Sequence, residues 1–295
     1  MKTALVSGGT GFAGRFIVEA LLAAGYAVTV TGRTSPETGF FSQPVRWIEA
    51  GLEPDLLPAG MFDGVDAFVH AAFHHVAGKY RGGEGADPEA FRRLNVGGSV
   101  AMFAAATASG VQRAVFLSSR AVYGTQPPGA VLKEDTTTRP DTLYGQVKCE
   151  VELALQELSN FASLPVSLRV TGVYGPAGQG RFHKWRDLFD DYLAESPIAP
   201  RAATEVHGED MAAAVRLMLE ADPDDIRAAS PGLVFNVSDI LLDRRDLLGE
   251  YARLTGCKGP LPGHAEAPGF NAMDCTRLRG LGWRPRGHLD LTGLV

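Results

Sequence analysis

The sequence predicts a doubly wound α/β protein, a parallel β-sheet with helices on both faces, completed by a small C-terminal lobe. Three observations predict it. Short β-branched apolar runs alternate with longer helical patterns through the first two thirds of the 295 residues, as βαβ units do. The first of these runs passes straight into a glycine-rich turn at Gly8–Gly14. The length suits roughly two domains, and the regular alternation fades after Gly172.

Ala4–Ser7 reads as the first strand. It leads into Gly8-Gly9-Thr10-Gly11-Phe12-Ala13-Gly14 and then a helix over Phe12–Ala24. Gly9, Gly11 and Gly14 satisfy G-x-G-x-x-G, and Gly8, Gly11 and Gly14 satisfy G-x-x-G-x-x-G. Such a loop makes a tight turn, lets backbone approach a pyrophosphate, and aims a helix N-terminus at it. Residues 8–14 are therefore candidate dinucleotide contacts, on a Rossmann-type sheet.

The second strand, Ala27–Thr31, ends in Gly32-Arg33-Thr34 without an acid. An acid there would hold a ribose 2′-hydroxyl, whereas an arginine accommodates a 2′-phosphate. Arg33 thus predicts NADP(H) preferred over NAD(H). Further strands are expected at Val45–Ile48, Ala67–Ala71, Ala114–Ser118 and Val166–Val170, with helices over Glu89–Ser109 and Leu143–Phe161. A helix at Glu209–Ala221 and a strand at Val234–Val237 read as a return to the sheet. The expected organisation is a Rossmann domain over 1–172 and 203–238, with a small substrate-binding lobe over 173–202 and 239–295.

Composition excludes several classes. With 28 basic and 34 acidic residues the net charge is −6, which argues against a nucleic-acid partner. No run approaches the ~20 apolar residues of a membrane span, and the N-terminal apolar run is too short for a signal peptide. Three cysteines, without a C-x-x-C pair, fit neither a disulfide framework nor a zinc site. A cytoplasmic protein with no metal and no membrane partner is expected. Glycine, at 35 residues, is enriched above the usual ~7%, and eleven of the 35 fall within 8–14, 78–85 and 175–180.

Tyr144-Gly145-Gln146-Val147-Lys148 opens a helix and sets Tyr144 and Lys148 at i, i+4, on one face. A free tyrosine, with a pKa of about 10, is a poor base at neutral pH. A neighbouring ammonium and nicotinamide cation favour the phenolate. Tyr144 then exchanges a proton with a substrate hydroxyl as hydride moves to or from the cofactor. Ser119 follows the fifth strand, at the carboxyl edge where such sheets bind ligands.

With these motifs in place, nearly the whole chain resembles the extended short-chain dehydrogenase/reductase family, in its epimerase/dehydratase branch. The family's glycine loop matches Gly8–Gly14, its His-x-Ala-Ala resembles His70-Ala71-Ala72, and its Asn-x-x-Gly resembles Asn95–Gly98. Ser-Ser-x-x-Val-Tyr-Gly resembles Ser118–Gly124, and Arg-x-x-x-Val-Tyr-Gly-Pro resembles Arg169–Pro176. The His-x-x-Asp-Met-Ala element resembles His207–Ala212, and Leu281-Gly282-Trp283-Arg284-Pro285 is similar to the closing motif. The resemblance implies that Ser119, Tyr144 and Lys148 carry catalysis. Ser119 orients the carbonyl or hydroxyl, and Lys148 also holds the nicotinamide ribose. Ala71, Ala72 and Asn95 join the cofactor contacts. The resemblance also implies a homodimer through two helical stretches, Phe91–Ala108 and Val147–Leu158, each apolar on one side.

Two departures narrow the substrate. The acids that follow the catalytic Ser/Thr in 4,6-dehydratases and uronate decarboxylases are replaced by Arg120-Ala121. Arg120 beside the nicotinamide suggests an anionic substrate. The arginine by which nucleotide-sugar members grip a diphosphate is replaced by Ala203-Thr204-Glu205, with Arg201 close, and Glu205 is expected to repel a diphosphate. Other candidate substrate contacts are His74, His75, Lys79 and Arg81, in a glycine-rich lid over 73–85, and Arg181 and His183 in the 178–184 loop. The expected function is NAD(P)(H)-dependent hydride transfer to or from a hydroxyl or carbonyl of a sugar-like, anionic small molecule. The alternatives are a nucleotide-sugar 4-epimerase with recycled cofactor and a non-catalytic NADP-sensing binding protein.

Overall fold

The structure, a computed structural model, describes residues 1–76, 83–158, 163–178, 180–266 and 269–295. Its strands in chain order are β1 (Thr3–Ser7), β2 (Ala27–Gly32), β3 (Arg46–Glu49), β4 (Ala67–His70), β5 (Arg113–Ser119), β6 (Leu164–Val170), β7 (Gly172–Tyr174), β8 (Ala202–His207), β9 (Val234–Val237) and β10 (Ile240–Asp243). The helices are α1 (Phe12–Ala23), α2 (Pro88–Arg92), α3 (Gly98–Ala108), α4 (Leu143–Leu158), α5 (Arg186–Leu193), α6 (Gly208–Glu220), α7 (Pro223–Ala229), α8 (Arg244–Thr255) and α9 (Thr276–Gly280).

Seven strands form one parallel sheet in the order β3-β2-β1-β4-β5-β6-β9. The order reverses between β1 and β4, so the glycine turn after β1 opens where open α/β sheets take their ligands. The strands are apolar on both faces, as a parallel sheet covered twice requires. Val6, Val69 and Val115 point to one face, against Ile17 and Leu21 of α1 and Val215 and Met218 of α6. Their neighbours Leu5, Phe68 and Phe116 point to the other, against Met102 and Phe103 of α3 and Val151 and Leu155 of α4. The period-2 alternation of strand side chains thus builds two cores from one set of runs.

A second sheet has the order β10-β8-β7, with β7 parallel and β10 antiparallel to β8. An aromatic cluster covers it: Tyr174, Trp185, Phe189 and Tyr251, with Leu247 and Leu248 of α8.

Two expectations are corrected. The return of residues 203–238 to the large sheet is divided. β8 pairs within the small sheet, while α6 and β9 go back to the large one. The reason is edge occupancy: β6 has two edges, and β5 and β9 take both. The single helix expected over Glu89–Ser109 is α2 and α3 joined by a π-helical turn, Arg93–Gly97. Asn95 sits in that turn and donates its side-chain amide to the Phe91 carbonyl at 2.9 Å. Ser99 in turn donates to the Asn95 carbonyl at 2.5 Å, and such side-chain bonds compete with the regular helical ladder. The expected end of the Leu143–Phe161 helix lies beyond α4, at residues 159–162, outside the described residues.

Candidate active site

The glycine loop is shaped by backbone contact. A Cβ on Gly8, whose φ is +70°, would lie 2.6 Å from the Ala72 Cα, and one on Gly14 would collide with the Gly8 carbonyl oxygen. Only glycine fits either position, and the contact sets Ala71 and Ala72, just after β4, directly against the loop. Ala71 N–H also donates to the Ser7 carbonyl at 3.0 Å. The loop feeds α1, whose N-cap Gly11 offers no side chain and whose first turn holds no acid. The unsatisfied N–H groups and positive end of that helix are therefore left to an external anion. This cradle fits a dinucleotide pyrophosphate.

The three residues expected to carry catalysis are drawn together from β5 and α4. Ser119 ends β5 and caps a following 3-10 turn, its Oγ accepting from Ala121 N–H at 3.1 Å. The Ala121 carbonyl presses on Gly145, where a Cβ would come within 2.5 Å of it. That close approach seats the first turn of α4, and with it Tyr144, beside the end of β5. One turn on, Lys148 crosses back to β5 and donates from Nζ to the Leu117 carbonyl at 2.6 Å. Two aromatic rings flank its ammonium, Phe116 at 4.6 Å and Phe73 at 4.7 Å. Phe73 also meets Tyr144 edge to face at 5.1 Å. Burial pushes the Lys148 ammonium down to about 7, against the opposing pull of Glu152.

Behind these groups lies a buried polar network. Glu152, a further turn along α4, accepts from the Ser118 hydroxyl and from Arg169 Nη2 at 2.7 Å. Arg169 also donates to the Tyr123 hydroxyl at 3.0 Å, and Tyr123 donates to Asn236 at 2.7 Å. His70 links β1 and β4 to α3 through Ser7 Oγ at 2.6 Å and Ser99 Oγ at 2.8 Å. Burial, with the charge of Lys148 nearby, drops His70 to about 3, so it stays a neutral structural link.

The remaining predicted residues divide. Asn95 accepts from His74 N–H at 2.7 Å and donates both amide hydrogens, to the His74 and Phe91 carbonyls. It thereby clamps the segment after β4 that carries Phe73. His75 stacks on Phe73. Burial lowers His74, with a smaller contribution from Arg33. Arg120 donates to the Asn271 carbonyl at 2.9 Å and lies 5.4 Å from the Phe270 ring, which draws it toward the C-terminal segment. His183 accepts from Trp185 N–H and packs on Phe189, inside the aromatic cluster of the small lobe. Arg181 instead reaches the glycine loop and donates to the Thr10 carbonyl at 2.5 Å. Lys79, Arg81 and most of the expected lid, residues 77–82, lie outside the described residues. Among the described residues no three His, Cys, Asp or Glu side chains gather as metal ligands would.

Sequence reasoning missed Phe73, Phe116, Glu152 and Lys184. Glu152 was findable, since it extends the Tyr144, Lys148 spacing by one more i+4 step. Lys184 was not. It pairs with the buried Glu205, whose carboxyl burial pushes up while Lys184 pulls it down. The glutamate expected to repel a diphosphate is thus already matched by a cation.

Residues 4–237 match the model of the NAD dependent epimerase/dehydratase family, and the chain belongs to that family. A UDP-glucose 4-epimerase from Rhizobium leguminosarum bv. trifolii is 34% identical over 187 residues, covering 62% of this chain and 56% of the relative. The chain thus spans about half the length of the curated relatives it matches. Among solved structures, the UDP-glucose 4-epimerase of Thermotoga maritima with UDP-glucose superposes with a TM-score of 0.78. It is 21% identical, covering 99% of this chain and 95% of that one. The enzyme of the same name from Stenotrophomonas maltophila, with bound NAD and formylated UDP-arabinopyranose, gives 0.77 at 22% identity, covering 100% and 96%. At such identities these likenesses speak for the fold. No helix among the described residues is long and apolar enough to cross a membrane.

Proposed function

We propose that this family member transfers hydride to or from a hydroxyl or carbonyl carbon of a sugar-like, anionic small molecule, with NADP(H) preferred over NAD(H). The observation that carries the reading is the assembly of Ser119, Tyr144 and Lys148 where β5 meets the first turns of α4. When bound, the nicotinamide supplies the hydride donor or acceptor. Tyr144 takes or gives the hydroxyl proton at its phenolic oxygen, and Ser119 Oγ orients the reacting oxygen by hydrogen bonding. Lys148 holds positive charge beside Tyr144 and favours the phenolate.

The Gly8–Gly14 loop holds the pyrophosphate, with Ala71 and Ala72 closing its floor and Asn95 fixing the segment above it. Support for NADP(H) is the end of β2, where Gly32-Arg33 offers a cation and no acid. His74, His75, Arg120 and His183 remain the candidate polar groups around the substrate, with Arg120 next to Ser119 in the chain, while Arg181 reaches the glycine loop instead. In this reading the cofactor half is 1–172 with 208–238, and the substrate half is 173–207 with 239–295, since β8 belongs to the small sheet. The chain works in the cytoplasm as a homodimer joined through α3 and α4. Support for that pairing is Leu153, which α4 leaves 57% exposed.

Conservative Tyr144→Phe tests the chemistry. Turnover should fall by about a thousandfold while calorimetry finds dinucleotide binding unchanged, and retained turnover would remove Tyr144 from the reaction. A second reading, a nucleotide-sugar 4-epimerase that recycles its cofactor, is favoured by the Lys184–Glu205 pair, which removes the like charge that opposed a diphosphate. Interconversion of UDP-glucose and UDP-galactose by purified protein, without net change in reduced-nicotinamide absorbance, would select it.

A further inference from the structure

The loop bearing Arg181 belongs by sequence to the small lobe, yet its guanidinium lies on the glycine loop. Nη1 donates to the Thr10 carbonyl at 2.5 Å, and the guanidinium carbon stands 4.8 Å from the Phe40 ring centroid. Phe40 lies in the β2–β3 connection, the same connection that begins with Arg33. Thr10 also abuts the end of β2, since a Cβ on Gly32 would lie 3.7 Å from its hydroxyl oxygen. Thr10 is therefore bordered by the residue preceding Arg33 on one side and by Arg181 on the other.

The charges there are unbalanced. Arg33 and Arg181 are both exposed, and neither has a carboxylate partner among the described residues. Behind them Arg15 donates to the Pro176 carbonyl at 2.5 Å, which anchors the start of the Arg181 loop across α1. Burial lowers Arg15, and the charge of Arg181 lowers it further, against the pull of Glu19. Arg181 stands close enough to Arg15 for their like charges to oppose each other beside the start of α1, and an anion placed there relieves that repulsion. The pyrophosphate belongs to the N–H groups at the start of α1. The surplus of arginine lies farther out, toward the end of β2, where the ribose 2′-position falls in this sheet type.

We infer that Arg181 is a specificity-determining residue for the cofactor: with Arg33 it forms a two-arginine clamp on the 2′-phosphate of NADP(H). The clamp rests on the NADP(H) preference proposed above. A phosphate monoester takes paired N–H···O bonds from guanidinium groups, and Arg181 brings the second guanidinium from the substrate-side loop. It thus serves the cofactor rather than the substrate.

The test is calorimetric titration of intact wild-type protein, Arg33→Ala, Arg181→Ala and Arg181→Lys with NADPH, NADH, ADP-ribose and 2′-phospho-ADP-ribose. Arg181→Ala should weaken NADPH and 2′-phospho-ADP-ribose about tenfold, the value of one charge-assisted bond, and leave NADH and ADP-ribose within about twofold. Arg181→Lys should recover part of the loss. Equal weakening of both cofactors would place Arg181 on the shared pyrophosphate and overturn the clamp. So would an unchanged NADPH/NADH ratio in an Arg181→Ala protein whose wild type prefers NADPH. A wild type that binds NADH as tightly as NADPH would defeat the preference itself, whatever Arg181 does. Because Arg181 is exposed, unchanged melting temperatures are expected, and Arg33→Ala gives an independent arm should one variant fold poorly.

Discussion

The glycine loop and the small lobe position their groups by different means. In the loop, backbone lies against backbone: Gly8 on Ala72 and Gly14 on the Gly8 carbonyl. In the small lobe, side chains position one another, as in the Lys184–Glu205 pair and the stack of Tyr174 on Trp185 at 4.9 Å. A backbone contact admits one residue type and leaves a readable signature. A side-chain pair can be met by many combinations and leaves none. The first region should therefore fail completely when a single atom is added, and the second should adjust.

The sharpest break is Gly14→Ala. The new methyl collides with the Gly8 carbonyl, and the loop must open, so dinucleotide affinity should fall by roughly a hundredfold or more, the effect of about 3 kcal/mol of overpacking. Retained binding in a fluorescence titration would show that the loop yields as side chains do.

Next comes Glu152→Ala, which strands the buried Arg169 and frees the Ser118 hydroxyl. Breaking a buried pair from one side costs about 3–5 kcal/mol, so the melting temperature should drop by roughly ten degrees. A drop of under about two degrees would mean that the network is not what holds β5, α4 and β6 together.

Lys148→Met separates catalysis from stability. Burial holds the folded Lys148 near 7, below its unfolded value of about 10.4. Between those values the unfolded chain keeps a proton that the folded chain has released, so stability rises with pH across that window. Below it, both states are protonated and the full cost of burying the charge is present. Replacement by Met should therefore abolish turnover yet raise the melting temperature of the cofactor-free protein by several degrees at pH 6. That gain should shrink toward pH 10. A variant less stable than wild type at pH 6 would show that the bond to Leu117 and the two rings outweigh burial.

The smallest effect is expected in the lobe. Lys184→Met leaves Glu205 without its partner and should change the substrate KM by under about tenfold, with dinucleotide binding intact. A loss of dinucleotide binding there would erase the contrast between the regions.

The same contrast explains what was legible. Strands β1 to β6, β9 and the helices covering them follow from period-2 and period-3.6 patterns, and the glycine loop follows from residues that nothing else replaces. The i, i+4 spacing of Tyr144 and Lys148 places both on one face without any tertiary information. The pairing of β8 is not local, because it depends on β9 occupying the edge of β6, some sixty residues away in the chain. The reach of Arg181 to Thr10, across 171 residues, and the Lys184–Glu205 pair have no sequence periodicity to announce them. Phe73 and Phe116 read as ordinary core or loop residues until the ammonium between them is seen.

The late arrival of β9 has a consequence during synthesis. β6 is buried along its whole length in the finished protein, yet the strand that covers its outer edge begins only at Val234. A ribosome adding about 5–20 residues per second leaves that apolar edge bare for some seconds, a template on which another nascent chain can pair. Slowing translation between β6 and β9 should thus raise aggregation of this protein, and speeding it should raise the yield of native chain.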